Sequence, residues 1–581
     1  MSVRSLLKVE LSPTFGAERR QWIAALLFVL GIFVFEGFYF RESIVGDLAA
    51  FWQGSDIIGL IAFPIYFAAS AYLLFLFVLA ATTSKWPFRV FYLAIFGFAV
   101  LVEYSYHRAL GRFTNFYDII AALSATDEQK SDSIFAFLDL IAIVPIVAIG
   151  FLSFRLRAVK QFGWKMSVGL LLASSLFYLH FSMVKGQVFT SGFPNDSLAT
   201  FLNTLSDYAV QTPFQQLGPI VREPVTAIEN KPAPNNNVII IFDESIRADH
   251  LSLNGYERQT TPFLSDLAQK KLLINWGTAA AAATSSHPSY DAFITGARPN
   301  ELETEDLRQL NSRPTLFQYA KAMGYRNVLI DGQMMDYWGG TKDDLNYIDE
   351  FDPLSIIDRP DRVEDWQRAS KAITDESKRT EGLKQWEIDE RIAEMVNKIF
   401  TSSTGNFIFV YKRGCHFPYE KNFPPNEAVW KPVYHFQTQY EVPPPDQLQG
   451  VINSYDNSLR YNLDEFFKKL APDYSALANH TVIIYTGDHG ESFSANGRAG
   501  HGGDTVDEAR VPLFILGLND SAPDTTFHAS HHNLFAATLD LLGYPENLRP
   551  PYYSVSLLKA TELDSAPRFF NPNPRKKIRF D

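Results

Sequence analysis

Five long apolar stretches crowd the first third of the chain: Trp22–Phe40, Ile57–Ala81, Val90–Tyr106, Ile134–Phe154 and Trp164–Val184. Each approaches the roughly 20 residues that cross the hydrocarbon of a bilayer, and five in succession predict a membrane bundle, not the core of a soluble domain. The first is followed by further stretches and lacks a small-residue cleavage site, so it does not read as a removable leader. Loop charges orient the bundle. Arg4, Lys8, Arg19 and Arg20 precede the first stretch, Lys85 and Arg89 separate the second from the third, and Arg155, Arg157, Lys160 and Lys165 separate the fourth from the fifth. The alternate loops carry Glu42, Asp47 and Asp56, or Asp127, Glu128 and Asp132. Basic loops facing the cytoplasm place the N-terminus inside, and an odd number of spans puts everything after them outside. The segment Asn115–Leu123 has one apolar side, and two readings stay open: a surface-lying amphipathic helix or a loop packed on its own bundle.

A chain of 581 residues is expected to hold at least two units. Residues 1–184 read as the membrane bundle, 185–236 as a linker ending in Lys231-Pro-Ala-Pro-Asn-Asn236, and 237–581 as a water-exposed domain. The formal charge of −12 argues against nucleic acid as a partner. The single cysteine, Cys415, excludes an intramolecular disulfide, so topology and not cysteine must indicate the compartment.

In the last domain short apolar runs recur at Val238–Phe242, Asn327–Ile330, Phe407–Tyr411, Val482–Tyr485 and Val511–Leu516, with helical patterns such as Thr315–Met323 and Glu387–Phe400 between them. Continuous apolar strands alternating with helices predict a largely parallel sheet covered on both faces. Such sheets bind ligands at the carboxyl ends of their strands. The residues there are chemically rich: Asp243-Glu244-Ser245 after the first run, His416 shortly after the third, and Asp488-His489-Gly-Glu491 after the fourth, with His501 beyond. Carboxylates and imidazoles together suit a borderline cation such as zinc. A hydroxyl-rich stretch, Thr284-Ser285-Ser286-His287-Pro288-Ser289, stands at the predicted start of a helix, where free backbone N–H groups favour an anion. Beside a metal, such a hydroxyl becomes a candidate nucleophile and not merely a helix cap.

These segments resemble the membrane-anchored phosphoethanolamine transferases of the alkaline phosphatase/sulfatase superfamily. The resemblance rests on Asp243-Glu-Ser-Ile-Arg-Ala-Asp-His250 through Asn254-Gly-Tyr256-Glu-Arg-Gln-Thr-Thr-Pro262, and on Asp488-His489-Gly-Glu-Ser with His501 thirteen residues after the aspartate. It implies an α/β sulfatase-like domain behind five membrane helices. It also implies zinc ligands at Glu244, Asp488 and His489, completed by the nucleophilic hydroxyl, with one zinc ion expected and room for a second. His416 and His501 match the two further histidines that contact the phosphoryl group or a second metal. Thr is the usual nucleophile of these transferases, which favours Thr284 over Ser285 and Ser286. The family's cysteines around the nucleophile are missing here, and this segment aligns only loosely.

The resemblance further implies transfer of phosphoethanolamine from phosphatidylethanolamine, through a phospho-threonine, to a lipopolysaccharide component or another lipid-linked or periplasmic glycan, with diacylglycerol released. The expected setting is a bacterial inner membrane, with the catalytic domain in the periplasm. A phosphoglycerol transferase using phosphatidylglycerol is the nearest alternative. A phosphate or sulfate ester hydrolase is the next: Ser286-His-Pro-Ser289 approaches the sulfatase pattern Cys/Ser-x-Pro-Ser-Arg, but Tyr290 stands in place of the arginine. A non-enzymatic membrane sensor would be expected to lack a ligand, and every candidate ligand is present.

Overall fold

The computed structural model describes residues 13–41, 71–82, 85–110, 139–155 and most of 197–206 in the N-terminal part. Beyond it, apart from isolated positions, it describes 221–299, 312–333, 344–353, 383–437, 443–472, 480–493, 499–518, 522–573 and 576–581. These residues fall into two compact units that meet in the sequence at Pro213 and Phe214, inside the expected linker.

The N-terminal unit contains α1 (Pro13–Tyr39), α2 (Trp86–Leu110) and α3 (Ile143–Arg155). Among the described residues, two stretches are long and apolar enough to cross a membrane, Gln21–Tyr39 and Trp86–Arg108; Ala71–Thr82 and Leu140–Ser153 are apolar but shorter. The first, third and fourth expected spans fall on α1, α2 and the stretch leading into α3. Only the end of the second is described, and the fifth lies outside the described residues, as does Asn115–Leu123 apart from Ile119. The unit is apolar on its outside as well as in its core, where Val29, Phe77, Phe96 and Val100 pack together around a few buried polar groups. Leu27, Val34 and Phe38 are exposed on α1, whereas Glu36 is buried and accepts hydrogen bonds from Tyr104 Oη (3.3 Å) and Ser197 Oγ (2.7 Å). Hydrocarbon surroundings favour an apolar exterior with the few polar groups bonded to one another inside.

The C-terminal unit is an α/β sandwich. In chain order it runs β1 (Asn237–Asp243), α4 (Pro262–Gln269), β2 (Leu273–Ala280), α5 (Ser286–Thr295), α6 (Leu316–Met323), β3 (Arg326–Asp331), β4 (Glu350–Pro353), α7 (Gln385–Ser402), β5 (Asn406–Tyr411), α8 (Leu448–Leu459), β6 (Thr481–Gly487), the short β7 (Ser492–Phe493) and β8 (Ala499–Gly500), β9 (Arg510–Leu516) and α9 (His531–Leu541). Seven strands form one sheet in the order β2-β9-β6-β1-β5-β3-β4. The pairs from β6 through β4 are parallel, and β9 runs antiparallel to both β6 and β2. The expected mostly parallel sheet is therefore present.

Alternation along β1 builds two cores. Val238, Ile240 and Phe242 pack into one layer with Phe293, Leu534 and Phe535. Ile239 and Ile241 pack into the other with Ile392, Val451 and Tyr455. A strand apolar on both faces can only sit in the middle of such a sandwich. β1 does so, and its carboxyl end opens between those of β5 and β6.

Candidate active site

Strand ends deliver the site. β1 runs directly into Glu244, β6 into Asp488 and His489, and β5 by a short turn into His416. Glu244, Asp488 and His489 are completely buried, and one ligand atom from each lies within 4.8 Å of the others. A second group, Glu244, His416 and His501, meets the same criterion. Glu244 thus belongs to both.

Each carboxylate is anchored by several hydrogen bonds. Glu244 accepts from Ser245 Oγ at Oε1 (2.6 Å) and from Gln333 Nε2 at Oε2 (2.6 Å). Asp488 accepts the backbone N–H groups of Ser245 (3.0 Å) and His489 (2.7 Å), and the Tyr411 hydroxyl (3.0 Å). Behind them Asp243 accepts the Glu244 N–H (3.0 Å) and is held by Lys412 Nζ and Tyr485 Oη, both at 2.7 Å. This internal ion pair is fully buried. Gly414, at φ +57°, fits because a Cβ there would come within 2.4 Å of Asp243 Oδ1.

The imidazoles are oriented in a common way. His489 Nδ1–H donates to the Gly490 carbonyl (2.9 Å), His416 Nδ1–H to the Phe417 carbonyl (2.6 Å), and His501 Nδ1–H to Glu491 Oε1 (2.9 Å). In each ring Nε2 is left to serve the cluster, the arrangement that supports histidine as a metal ligand.

Electrostatics point the same way. Burial would raise the Glu244 carboxyl, but His489, His416 and His501 hold it well below the usual range. Burial and then the Glu244 charge push Asp488 well above its usual range. Burial would lower His489, yet Asp488 and Glu244 lift it to about 10. Two buried carboxylates this close demand a positive charge, which a proton on His489 supplies here and a dication would supply better. The donor set of two carboxylates and an imidazole, with a hydroxyl beside them, fits zinc.

That hydroxyl is Ser286, the first residue of α5. Its Oγ donates to Glu244 Oε2 (3.0 Å) and lies 3.2 Å from His489 Nε2. Thr284, the hydroxyl preferred from the sequence, is engaged elsewhere. It is completely buried, its Oγ1 donates to the Gly503 carbonyl (2.8 Å), and its own carbonyl accepts from Gly502 N–H (2.6 Å). Ser285 is the residue that precedes the helix.

The sequence alone places Glu491 beside Asp488 and His489 without a role, and does not single out Gln333 or Tyr411. Tyr411 and Gln333 lie at or just beyond strand ends, so the rule that located Glu244 could have found them. The signal for Ser286 was its place in Ser-x-Pro-Ser, the pattern set aside for want of an arginine.

Comparisons with known proteins bear on the family and the fold. Residues 236–544 match the Sulfatase family model. The chain is 25% identical over 273 residues to a Kdo(2)-lipid A phosphoethanolamine 7''-transferase from Salmonella typhimurium, covering 46% of this chain and 41% of that protein. It is 24% identical over 420 residues to phosphoethanolamine transferase EptA of Escherichia coli K12, covering 67% and 69%. It spans about half the length, or less, of several relatives it matches, the Salmonella protein among them. In fold it is similar to the integral membrane lipooligosaccharide phosphoethanolamine transferase A of Neisseria meningitidis, with a TM-score of 0.58 at 17% identity over 90% of this chain and 95% of that one. With more than half of its length matched by the family model, the chain belongs to the Sulfatase family.

Proposed function

We propose that this protein transfers phosphoethanolamine from phosphatidylethanolamine to a lipopolysaccharide component or a related cell-surface glycan, and that Ser286, not Thr284, carries the group between them. The observation that bears most weight is the Ser286 hydroxyl on Glu244 and His489 at the first turn of α5. The names of the relatives support the donor group and the class of acceptor.

Glu244, Asp488 and His489 would hold zinc, with Ser286 as the fourth ligand. When bound, the ion acidifies the hydroxyl and polarises a phosphoryl oxygen. Ser286 Oγ then bonds to phosphorus while the bond from phosphorus to the diacylglycerol oxygen breaks. The Ser286 proton passes to the free Nε2 of His501, whose Nδ1–H is committed to Glu491. The His501 imidazolium, paired with Glu491, then returns that proton to the departing diacylglycerol oxygen, with His416 beside it at the cluster. In the second half-reaction an acceptor oxygen attacks the same phosphorus and Ser286 leaves. A covalent relay suits this task, because a lipid donor and a bulky glycan need not occupy the site together. The first turn of α5 adds its dipole to the stabilisation of the anion.

The test is mass spectrometry of the full-length protein after incubation with phosphatidylethanolamine in detergent. A phosphoethanolamine adduct on Ser286 is expected, lost in Ser286→Ala and retained in Thr284→Val. For Thr284→Val a destabilisation of about 1–3 kcal/mol is expected, from the buried Gly503 carbonyl left unpaired. An adduct on Thr284 would overturn the assignment of the nucleophile. An adduct formed from phosphatidylglycerol instead would overturn the donor.

A further inference from the structure

We infer that His531, the first residue of α9, is a positioning residue that locks the segment carrying the nucleophile to the strand end carrying the metal ligands; the inference rests on the reading of Ser286 as the attacking group. His531 is 1% exposed and lies outside the cluster. Its Nε2–H donates to the Gly487 carbonyl (2.9 Å), and its Nδ1 accepts the Ala282 N–H (3.2 Å). Gly487 immediately precedes Asp488 and His489, and Ala282 lies four residues before Ser286. One neutral ring therefore bonds both backbones whose separation sets the Ser286–His489 distance.

The two bonds define a single tautomer. Nδ1 must be free of hydrogen to accept from Ala282, and Nε2 must bear one to donate to Gly487. A second proton would place two N–H groups against each other at Ala282. Burial, the largest influence, lowers the ring to about 3 and keeps it neutral. Packing fixes the ring plane, with Phe242 and Phe293 both at 5.6 Å between centroids and Phe293 perpendicular to it.

Neighbouring ties work with the same clamp. The Ala282 carbonyl accepts from Asn571 N–H (2.9 Å), so both backbone polar groups of that residue are held. Ser289 Oγ, one turn after Ser286, donates to the Asp488 carbonyl (2.5 Å). Thr284 is tied on its other side to Gly502 and Gly503, next to His501. His531 itself is placed by Ser530, which caps α9 together with Asn533. A group transferred in line tolerates little error in the position of the attacking oxygen, and a displacement of about 1 Å costs on the order of a hundredfold in rate.

The experiment compares His531→Phe and His531→Gln with the parent as full-length proteins in detergent. Readouts are the rate of adduct formation on Ser286 at saturating phosphatidylethanolamine, the concentration giving half that rate, zinc content and melting. Phe keeps the ring packing and loses both bonds. It is expected to slow adduct formation by tenfold to a hundredfold, with half-saturation within about twofold and zinc unchanged. Gln offers an N–H and a carbonyl and is expected to recover a large part of the rate. A parent-like rate in His531→Phe, or a rate that falls only in proportion to lost zinc or lost folded protein, overturns the inference. So does equal loss in both variants when both remain folded. If the parent itself forms no adduct on Ser286, it is the proposed function that fails.

Discussion

The imidazoles facing the cluster differ in what holds their Nδ1, and that difference is testable. His489 and His416 use neighbouring carbonyls, which no side-chain substitution removes, whereas His501 depends on Glu491. Glu491 is completely buried and also accepts the Tyr419 hydroxyl (3.1 Å). Replacing it with Gln keeps the shape but lets the amide N–H compete for Nδ1, which turns the other ring nitrogen into a donor. Glu491→Gln is expected to lower turnover by about tenfold to a hundredfold while zinc at Glu244, Asp488 and His489 stays bound; parent-like turnover would refute the role. A second residue at this scale is Asp331, at the end of β3. It is completely buried, its Oδ2 has no partner among the described residues, and burial raises its carboxyl to about 7. The sign follows from linkage. Between about pH 4 and 7 the unfolded chain releases this proton and the folded chain keeps it, so stability falls as pH rises through that window and the deficit is complete above it. Asp331→Asn cannot ionise. It should melt like the parent near pH 4 and be more stable at pH 8, by on the order of a few kcal/mol; an equal melting difference at both pH values would sink this account.

At the scale of elements, the strands were legible where packing is two-sided. β1, β3, β5, β6 and β9 each hold the run read from the sequence to within a residue or two at either end, because a strand buried on both faces must be continuously apolar. β2 was missed. Leu273-Ile-Asn-Trp-Gly-Thr-Ala-Ala280 has little β-branched character, and its pairing with β9 is interrupted between Asn275 and Gly277. Its strand character comes from its tertiary neighbour. Strand ends likewise gave Glu244, Asp488, His489 and His416 directly, since chemistry at a parallel sheet collects there. Which hydroxyl faces the cluster was not legible. Thr284 and Ser286 are both hydroxyls near a helix start, and which one meets Glu244 depends on where α5 begins and on the pull of Gly502 and Gly503. Neither is encoded in the local sequence. The stretch most characteristic of the resemblance proves largely architectural: Tyr256 Oη and Arg258 Nη1 both bond Asp456 on α8, at 2.9 and 2.7 Å, and His250 Nδ1 lies 2.8 Å from the other oxygen. It fastens the loop after β1 to α8 and by itself says nothing about which phospholipid donates.

At the scale of the whole molecule, a cell-surface acceptor requires the C-terminal unit to work on the outer face of the membrane, the face that the loop charges assign to it. The chain carries a convenient reporter for this arrangement. Its one thiol, Cys415, is completely buried, and burial pushes the thiol well above its ordinary pKa, so it is a poor target for alkylation. Cysteines introduced elsewhere can therefore be read against a silent background. Leu563, 96% exposed on the C-terminal unit, and Lys8, in the basic segment before α1, are suitable positions. With a membrane-impermeant maleimide applied to spheroplasts, Leu563→Cys is expected to label and Lys8→Cys to label only after the membrane is opened. Labelling of Lys8→Cys in sealed cells, or protection of Leu563→Cys, would reverse the orientation. The active site would then lie on the cytoplasmic face, where a cell-surface glycan is out of reach. Transfer to an outward-facing acceptor and this topology therefore stand or fall together, whichever hydroxyl carries the phosphoryl group.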